Sequence, residues 1–231
     1  MNIGLILAGG VGSRMGADRP KQYLIAGGKP IIAYALKIFE KHEEIGHIVL
    51  VADDAWKDYI QEWLEKEGIQ KPVSFALPGR TRQHSIYNGL KCCAEFASED
   101  DVVIIHDAAR PLVSDKIISD CIAGAKEKGG SMPVIPVKDT VYRSVDGNVI
   151  TNLLNRSEIF AGQAPEGFLF GKYYQVHNDV TDEEIGQTNG SSEIAFRHGI
   201  EIKLVEGSER NFKITGPEDL ERFEQILKEN K

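Results

Sequence analysis

A glycine-rich segment followed by two cations carries the clearest chemical signal in this sequence. It contains Gly9, Gly10 and Gly12 and leads into Arg14 and Lys21. Glycine lets the backbone bring its N–H groups close to an anion, because no Cβ atom stands in the way. Arginine and lysine add the full positive charge that backbone amides lack. The segment therefore predicts a cradle for a polyphosphate.

Three patterns of nucleotide-binding loop can be compared with this segment. A Walker loop ends in Gly-Lys-Ser/Thr, whereas this one continues as Ser13-Arg14. A dinucleotide fingerprint needs a third glycine where Met15 stands, and an acid about 20 residues later, where the sequence reads Gly27-Gly28-Lys29. The pattern G-x-G-x-R-M-G followed by P-K, typical of sugar nucleotidyltransferases, fits at every position. The comparison favours this third pattern.

A second cluster follows an apolar run that ends at His106. Asp107 comes next, and Arg110 stands three residues further on. A carboxylate at the carboxyl end of a strand, facing a phosphate loop, is placed to bind Mg²⁺ that bridges it to a nucleotide. Arg110 has two interpretations, an ion pair with Asp107 or a ligand for a second phosphate. We expect His106 to be packed and hydrogen-bonded rather than a catalytic base.

Two further signals are weaker. Gly79 and Ser85 lie between a predicted strand and a predicted helix, where a backbone N–H and a hydroxyl suit a base edge and a ribose. N-capping explains the nearby Thr81 equally well. Lys213 lies in an apolar run, residues 211–215, which predicts a strand carrying one lysine.

The remaining sequence alternates between strands and helices. Apolar runs predict strands at residues 3–7, 47–52, 73–77, 102–106 and 132–137, and Ser114 predicts the N-cap of a helix over residues 115–128. Continuous apolar strands between helices are typical of a parallel sheet covered on both faces. We therefore predict an α/β fold in one domain, 1–231: a Rossmann-like, mostly parallel sheet with helices on both faces. Ligands of such sheets bind at the carboxyl ends of the strands.

The alternation stops at residues 138–155, which predict a projecting β-hairpin arm. Strand-like segments at 140–143 and 149–151 flank Asp146-Gly147, a pair typical of a tight hairpin turn. A hairpin this short is marginally stable alone. We therefore expect the arm to contact a second copy of the chain in a homodimer.

Composition excludes several classes of function. The net charge of −8 argues against a nucleic-acid partner, which usually meets a basic stripe. No apolar run approaches the roughly 20 residues of a membrane span, and the N terminus lacks the basic region of a signal peptide. Three cysteines without disulfide or zinc spacing, together with these points, lead us to expect a cytoplasmic protein with no membrane partner.

Taken together, the motifs resemble the cytidylyltransferases that make CDP-linked polyols. They are LAGGVGSRMG, PKQ, GRTRQHSIYNGL, HDAARP, PVKDTV, GQAP and LVEGSERNFKITGPEDL, in this order along nearly the whole chain. The resemblance implies a nucleotidyltransferase that moves CMP from CTP to a polyol phosphate and releases pyrophosphate. It implies 2-C-methyl-D-erythritol 4-phosphate, an intermediate of isoprenoid synthesis, as the first expectation for the acceptor, and D-ribitol 5-phosphate, used in teichoic-acid synthesis, as the alternative.

The same resemblance implies roles for individual residues. Those expected in catalysis are Arg14, Lys21 and Lys213; in nucleotide binding Ala8, Gly9, Gly10, Gly12, Gly79, Ser85, Asp107 and Ala108; and in acceptor binding Asp107, Arg110, Thr140, Arg156 and Lys213. Asp107 would also meet Mg²⁺, the one cofactor implied. Thr140 and Arg156, on or near the arm, would reach into the site of the neighbouring subunit.

The sequence departs from the family pattern where the acceptor is expected. The usual Thr-Asp-Asp/Glu is replaced in the stretch Asn189-Gly190-Ser191-Ser192-Glu193, and the usual Thr-Pro-Gln reads Ala164-Pro165-Glu166. HDAARP favours the methylerythritol enzyme, whereas LAGG and GQAP favour the ribitol enzyme, and another polyol phosphate is a third alternative. Two other classes stay open: a nucleotidyltransferase for hexose 1-phosphates, and a nucleotide-binding module without catalysis.

Overall fold

The computed structural model describes residues 1–10 and 19–229, which form twelve strands and eight α-helices. The strands are β1 (Asn2–Leu7), β2 (Ile25–Ala26), β3 (Lys29–Pro30), β4 (Ile45–Val51), β5 (Val73–Ala76), β6 (Val102–Asp107), β7 (Gly129–Pro136), β8 (Tyr142–Arg143), β9 (Asn152–Leu153), β10 (Phe160–Gly162), β11 (Glu166–Leu169) and β12 (Glu201–Glu206). The helices are α1 (Ile31–Lys41), α2 (Lys57–Lys66), α3 (Arg82–Cys93), α4 (Asp115–Lys128), α5 (Phe170–Asp179), α6 (Asp182–Gln187), α7 (Ser191–Arg197) and α8 (Pro217–Glu229).

The central sheet is mixed but mostly parallel. Its order is β10-β7-β11-β6-β1-β4-β5, with β12 beside β7. Strand β1 is parallel to β4 and β6, β4 is parallel to β5, and β12 is parallel to β7. Strands β10 and β11 are antiparallel to their neighbours. Parallel neighbours need a long crossover connection, usually a helix. Since β7 and β10 are antiparallel, the chain between them needs no crossover helix, and it forms the arm. The prediction of a mostly parallel sheet is confirmed.

Helices cover both faces of the sheet, as predicted. Along β1 the side chains alternate, so that Ile6 packs in a cluster with Leu36 of α1 and Ile118 of α4. On the opposite face Leu5 packs in a cluster with Leu90 of α3 and residues of α5 and α7. These side chains are fully buried, and each contributes roughly 1.5–3 kcal/mol to folding. The sheet is thus a rigid platform for whatever lies at its edge.

The ends of α4 show how local sequence sets an element's limits. The Ser114 side chain accepts a hydrogen bond from the backbone N–H of Ile117 at 3.3 Å, which caps the first turn. Gly129 follows the last turn with φ of 98°, a left-handed conformation that glycine adopts without strain. The predicted helix over residues 115–128 is confirmed.

The arm differs from the predicted tight hairpin. Its strands pair only through Tyr142 with Leu153 and Arg143 with Asn152, and a wide loop joins them. A two-residue Asp-Gly turn needs positive φ at both central residues, and only Gly147, with φ of 76°, has it. The Asp146 side chain instead accepts hydrogen bonds from two backbone N–H groups beyond the turn. The Asp-Gly prediction for the turn was therefore wrong, although the hairpin itself is present.

Helix α6 was not predicted from the sequence. The Thr181 side chain accepts a hydrogen bond from the backbone N–H of Glu184 at 3.2 Å, and acids occupy the first turn. A threonine with a glutamate three residues later is a known start signal, but the helix has only six residues. So short an element leaves no clear apolar periodicity to detect.

The helices are short compared with the thickness of a bilayer. The longest in the part of the chain that the structure describes, α4, has 14 residues, whereas a span takes about 20. No helix within residues 1–10 and 19–229 is long and apolar enough to cross a membrane.

Candidate functional site

A cleft of ≈ 400 Å³ opens at the edge of the sheet where β1, β5 and β6 end. Carboxyl ends of parallel strands meet at one edge, which brings residues from distant parts of the sequence together. The lining residues are Leu7, Gly9, Gly10, Lys21, Gln22, Gly79, Arg80, Thr81, Arg82, Ser85, Asp107, Ala109, Lys213 and Thr215. Seven residues predicted from the sequence are among them: Gly9, Gly10, Lys21, Gly79, Ser85, Asp107 and Lys213.

The cleft has two sides, one lined by glycine backbone and one by charged side chains. The glycine side consists of Gly9, Gly10, Gly79 and Ser85. The charged side consists of Arg82, Asp107 and Lys213 on the lining, together with Arg110, which pairs with Asp107 but is not itself on the lining. Lys21 lines the cleft from a short 3₁₀ turn, Lys21–Tyr23.

On the glycine side, two adjacent glycines have different reasons to be glycine. A Cβ atom on Gly9 would lie 2.4 Å from Cβ of Pro78, so the protein's own packing requires glycine there. A Cβ atom on Gly10 would meet nothing within 4 Å among residues 1–10 and 19–229. The Gln22 side-chain amide donates to the carbonyl oxygens of Ala8 at 2.5 Å and Gly10 at 2.9 Å, which fixes this backbone. Gly10 therefore borders open space that a ligand can fill.

The loop from Gly79 to Ser85 is held by its own hydrogen bonds. The backbone N–H of Gly79 donates to the Ser85 hydroxyl at 3.0 Å, and that hydroxyl donates to the carbonyl oxygen of Thr81 at 3.0 Å. A Cβ atom on Gly79 would lie 2.7 Å from the backbone carbonyl carbon of His84. Thr81 caps α3 by accepting from the N–H of His84. Ser85 thus shapes the loop; its predicted contact with the nucleotide stays a prediction.

On the charged side, the carboxylate of Asp107 contacts three cationic side chains. Its Oδ2 lies 2.9 Å from Nζ of Lys213 and 3.7 Å from Nε of Arg110. Its Oδ1 lies 3.4 Å from Nε of Arg82. The sequence interpretation of Arg110 as an ion-pair partner of Asp107 is confirmed. Counting Glu166, whose Oε1 lies 3.6 Å from Nη2 of Arg82, three positive and two negative charges leave a net charge of +1 at this end of the cleft.

The electrostatics keep these groups ionised at neutral pH. Burial by itself raises the pKa of the Asp107 carboxyl, but Arg82, Lys213 and Arg110 outweigh it and hold the pKa well below its usual range. Burial lowers the pKa of Arg82, and Asp107 and Glu166 more than compensate, so its pKa lies above the ordinary value. Burial leaves the pKa of Arg110 below its ordinary value. The charged side is therefore a preformed receptor for an anion.

Lys213 reaches Asp107 from an irregular segment rather than from the predicted strand. Residues 211–215 form no strand. The N–H of Ile214 donates to the carbonyl oxygen of Ala109 at 2.8 Å, and the buried Asn211 side chain donates to the carbonyl oxygen of Ala164 at 2.7 Å. The strand prediction was wrong, but the lysine lies in the cleft.

His106 lies beneath the charged side as a packed residue, as predicted. Its side chain is 0% exposed, its ring centroid lies 5.2 Å from that of Phe39, and Nε2 lies 3.0 Å from the carbonyl oxygen of Arg110. Burial lowers its pKa to about 4, against a smaller opposing effect of Asp107. A buried imidazole of this kind is held neutral and is no candidate for a catalytic base.

Two predicted nucleotide-binding residues lie under the cleft instead of lining it. Ala8 and Ala108 are 2% and 1% exposed. The N–H of Ala8 donates to the carbonyl oxygen of Val51 at 2.8 Å, and that of Ala108 to the carbonyl oxygen of Leu7 at 3.1 Å. Both residues therefore extend the sheet by one position, and their methyl groups pack in the core.

Thr140 and Arg156 lie outside this cleft, and Gly12 and Arg14 lie outside the described residues. Thr140 and Arg156 are exposed at the two ends of the arm. The Arg156 guanidinium donates to the carbonyl oxygen of Lys138 at 2.7 Å. The predicted contact of these two residues with the acceptor stays a prediction.

Sequence reasoning missed three residues that shape the cleft. Gln22 stands in the PKQ motif and Arg82 in the GRTRQHS motif, yet neither received a role. Glu166, at a position where the sequence departs from the family pattern, lies 3.6 Å through Oε1 from Nη2 of Arg82. The available signal was a polar side chain in or beside each motif, but the contacts that these side chains make depend on tertiary structure.

The described residues do not form a preformed magnesium site. Asp107 is a single carboxylate, and three cations already surround its oxygens. No group of three or more histidine, cysteine, aspartate or glutamate side chains within residues 1–10 and 19–229 could hold a metal ion. Magnesium sites draw mainly on carboxylates and on the oxygens of a bound phosphate. The magnesium prediction stays a prediction.

The chain is similar to known proteins along nearly its whole length. The profile of the family described as IspD: 2-C-methyl-D-erythritol 4-phosphate cytidylyltransferase matches residues 3–229. A ribitol-5-phosphate cytidylyltransferase of Streptococcus agalactiae serotype III is 35% identical over 227 residues, covering 98% of this chain and 95% of the relative. A 2-C-methyl-D-erythritol 4-phosphate cytidylyltransferase of Bacillus cereus is 35% identical over 223 residues, covering 96% of both.

Solved structures show the same fold. The 4-diphosphocytidyl-2C-methyl-D-erythritol synthase of Anaerococcus prevotii superposes with a TM-score of 0.83 at 24% identity, over 98% of this chain and 95% of that one. The 2-C-methyl-D-erythritol 4-phosphate cytidylyltransferase of Francisella tularensis superposes with a TM-score of 0.80 at 26% identity, over 97% and 99%. The resemblance therefore extends to nearly the whole of each chain.

Proposed function

The chain belongs to the IspD family of 2-C-methyl-D-erythritol 4-phosphate cytidylyltransferases, and from this premise we propose that it transfers CMP from CTP to a polyol phosphate. As a cytidylyltransferase it is an enzyme that uses CTP. The observation that carries the proposal is the meeting of two sides in one cleft. A backbone-lined glycine side opens onto a charged side whose net charge is +1 when Glu166 is counted.

The reaction requires charge stabilisation more than proton transfer. An oxygen of the acceptor's phosphate attacks the α-phosphorus of CTP, and the bond from that phosphorus to the oxygen bridging to the β-phosphate breaks. Pyrophosphate leaves with the bonding electrons. A phosphate monoester has a second pKa of about 6, so its attacking oxygen is mostly ionised near pH 7 and needs no general base. This agrees with the burial of His106.

The cationic side chains have complementary tasks in this chemistry. Lys213 and Arg110, held at Asp107, attract the acceptor's phosphate to the charged side. Lys21, on the cleft lining, contacts the triphosphate and stabilises charge that moves onto the departing pyrophosphate. Without cations between them, two phosphate groups at bonding distance repel strongly. Catalysis on this proposal is positioning plus preorganised positive charge.

The glycine side provides the binding surface for the nucleotide. Gly10 leaves open space beside a backbone that Gln22 fixes, and Gly79 lets the loop before α3 pass close to the helix. A backbone without side chains admits a flat base and a ribose closely. The nucleotide's phosphates then extend from the glycine side toward Lys21.

Two acceptors are candidates. 2-C-Methyl-D-erythritol 4-phosphate is the first, because the family profile that matches residues 3–229 carries its name. D-Ribitol 5-phosphate is the second, because relatives of that name match 98% of the chain at 35% identity. The changed residues Glu166, Ser191 and Ser192 lie beside Arg82, where the choice between the two acceptors would be made.

Acceptor-dependent release of pyrophosphate tests the proposal. The purified protein is given CTP with each of three acceptors, 2-C-methyl-D-erythritol 4-phosphate, D-ribitol 5-phosphate and glucose 1-phosphate, and UTP replaces CTP in a parallel series. We expect release with CTP and one polyol phosphate, with kcat/KM at least about 100-fold above the others. Release only with UTP and glucose 1-phosphate would contradict the proposal. The same assay with and without added Mg²⁺ tests the magnesium prediction.

We also propose a cytoplasmic homodimer formed through the arm, residues 138–155. Five large apolar side chains of the arm are exposed, between 54% and 79%: Tyr142, Val145, Val149, Ile150 and Leu153. With only two paired positions, such a hairpin gains stability by covering these side chains on a second copy. Thr140 and Arg156, which lie outside their own cleft, would then reach the charged side of the partner.

Mixing two inactive variants tests this shared site. Arg156→Ala and Lys213→Ala each damage every site of their own homodimer, whereas a mixed dimer has one site with both residues intact. Refolding the two together at equal amounts should restore about a quarter of normal activity, because half of randomly formed dimers are mixed. Ile150→Asp should shift the mass measured by light scattering to that of a monomer, and Leu204→Asp, on β12, is the control. Failure of the mixture to regain activity would contradict a shared site.

A further inference from the structure

Arg82 joins the two sides of the cleft and is held by three different parts of the chain. It is the first residue of α3. Nε lies 3.4 Å from Oδ1 of Asp107, Nη1 donates to the Ser191 hydroxyl at 2.7 Å, and Nη2 lies 3.6 Å from Oε1 of Glu166. Its side chain is nevertheless 29% exposed and lines the cleft. Arg82 is therefore both fixed in direction and open to a ligand.

Glu166 forms its ion pair with Arg82 and has a smaller electrostatic effect on Arg110. Its side chain is 9% exposed, and Oε2 accepts from the backbone N–H of Ser192 at 2.8 Å and from the Ser192 hydroxyl. These bonds fix the carboxylate at the start of α7. The other oxygen is then directed at Arg82. Asp107, in contrast, already contacts Lys213 and Arg110.

A guanidinium held in this way still has hydrogen-bonding capacity. Arginine carries five N–H donors, and three of its nitrogens here each contact one protein oxygen. Guanidinium groups bind phosphate oxygens through two donors at once, which fixes orientation better than a lysine does. A partly exposed arginine on the lining of an anion-binding cleft is placed for such a contact.

We propose that Arg82 binds the acceptor's phosphate, and that Glu166 is a positioning residue that holds Arg82 in place for this contact. The proposal rests on the proposed function, because it names a further residue for the same reaction. Because Glu166 attracts the Arg82 guanidinium, Arg82 is drawn less strongly to Asp107, and Asp107 remains paired with Lys213 and Arg110. Removing its charge draws Arg82 toward Asp107, which misplaces the acceptor and leaves the glycine side unchanged.

An exchange of charge between two contacting residues tests the positioning role. Glu166→Gln keeps the size and the acceptor oxygen of the side chain but removes its charge. Ser192→Asp in the same chain returns a carboxylate to the place that Glu166 contacts now. We expect Glu166→Gln to lower kcat/KM for the acceptor about 10- to 100-fold. The dissociation constant of CTP, measured by calorimetry without acceptor, should change less than about 2-fold.

The double variant distinguishes positioning from a structural role. We expect Glu166→Gln with Ser192→Asp to recover acceptor kcat/KM to within about 5-fold of the unmodified protein. Ser192→Asp alone should lower it, since two carboxylates then lie in contact. Equal acceptor kinetics in Glu166→Gln and the unmodified protein would overturn the proposal. So would a loss of CTP affinity as large as the loss of acceptor kcat/KM.

Further variants cover the remaining outcomes. Glu127→Gln, which removes an exposed acid paired with Lys203, is the matched control and should keep native kinetics. If Glu166→Gln lowers the melting temperature, Arg82→Lys is used instead, because lysine cannot make the two-donor contact; unchanged acceptor KM in that variant would overturn the role of Arg82. If the unmodified protein releases no pyrophosphate with any acceptor, the proposed function fails, and this inference with it. Turnover by the unmodified protein together with native kinetics in Glu166→Gln overturns this inference alone.

Discussion

The glycine side and the charged side of the cleft differ in how far along the chain their supporting contacts reach. Gly79 contacts Ser85 six residues away, and Gln22 holds Gly10 over 12 residues. On the charged side, the hydrogen bond from Arg82 to Ser191 spans 109 residues and that from Arg110 to Asn211 spans 101. The hydrogen bonds within each segment of the glycine side are therefore local, although the two segments meet where Gly9 packs against Pro78. The hydrogen bonds that hold the charged side join distant parts of the chain.

The difference explains why the nucleotide and the acceptor are not equally specified. A surface built from backbone and short-range bonds stays the same when distant residues change. A charge network that depends on β6, β11, α3 and α7 changes when any one of them is altered. We infer that the glycine side is the constant part of the site and that acceptor choice depends on the charged side.

Among the variants, Lys21→Ala has the largest expected effect on kcat, because Lys21 lies where the glycine side and the charged side meet. Lys21 lines the cleft and, on the proposed chemistry, stabilises the triphosphate as pyrophosphate leaves. We expect kcat to fall about 100- to 1,000-fold, as for other preorganised charges at a reacting centre, with the melting temperature nearly unchanged. Steady-state pyrophosphate release measures this. Lys66→Ala, which removes an exposed lysine paired with Glu62, is the control. Near-normal kcat in Lys21→Ala would refute the assignment.

Gly79→Ala tests the glycine side through packing. The added Cβ atom would lie 2.3 Å from Cβ and 2.7 Å from the carbonyl carbon of His84, so backbone at the start of α3 must move. We expect a loss of about 1–3 kcal/mol in the free energy of unfolding together with weaker CTP binding. Denaturant unfolding and calorimetry measure the two effects. Gly190→Ala, where a Cβ atom meets nothing within 4 Å, is the steric control. Unchanged stability in Gly79→Ala would show that the loop is not closely packed.

Gly10→Ala distinguishes an effect on CTP binding from an effect on the stability of the glycine side. Apart from its chain neighbours, no residue in the described part of the chain lies within 4 Å of the added Cβ, so we expect the melting temperature to stay unchanged. The methyl group occupies space that we assign to the nucleotide, and CTP should bind about 10-fold more weakly. Gly9→Ala should show the reverse order of effects, since its Cβ would meet Pro78 at 2.4 Å. Native CTP affinity in Gly10→Ala would place the nucleotide elsewhere.

Two buried histidines, His106 and His177, should make the free energy of unfolding depend on pH. Burial lowers the pKa of His106 and of His177 to about 4, below the value of about 6.5 expected when unfolded. The unfolded chain therefore binds more protons between these values, and stability falls as pH falls. Each histidine should lower the free energy of unfolding by about 1 kcal/mol between pH 6.5 and 5.5. Urea unfolding at the two pH values measures this, and a constant free energy would contradict it.

The sequence was sufficient for those features that a few neighbouring residues determine. Ser114 and the glycine at position 129 set the limits of α4, and the glycine-rich segment predicted the edge of the sheet at which the cleft lies. Asp107 and Lys213 were placed together only through the family resemblance. The structure shows their contact, but through an irregular segment that no periodicity predicts.

The parts that sequence reasoning missed depend on side chains from separate elements. Nothing local to Arg82 or Glu166 indicates that the two lie 3.6 Å apart. The turn of the arm was wrong because Asp146 makes side-chain hydrogen bonds that compete with the tight Asp-Gly geometry. Such contacts depend on the relative placement of elements, which composition and spacing do not contain.

Direct detection of the product tests the central claim. The unmodified protein is incubated with CTP and either 2-C-methyl-D-erythritol 4-phosphate or D-ribitol 5-phosphate, and phosphorus NMR follows both substrates. We predict that CTP and one polyol phosphate disappear at equal rates while pyrophosphate and the two coupled resonances of a CDP-polyol appear. Persistence of both polyol phosphates, or loss of CTP without a coupled product, would contradict the claim that the two sides of this cleft join a nucleotide to a polyol phosphate.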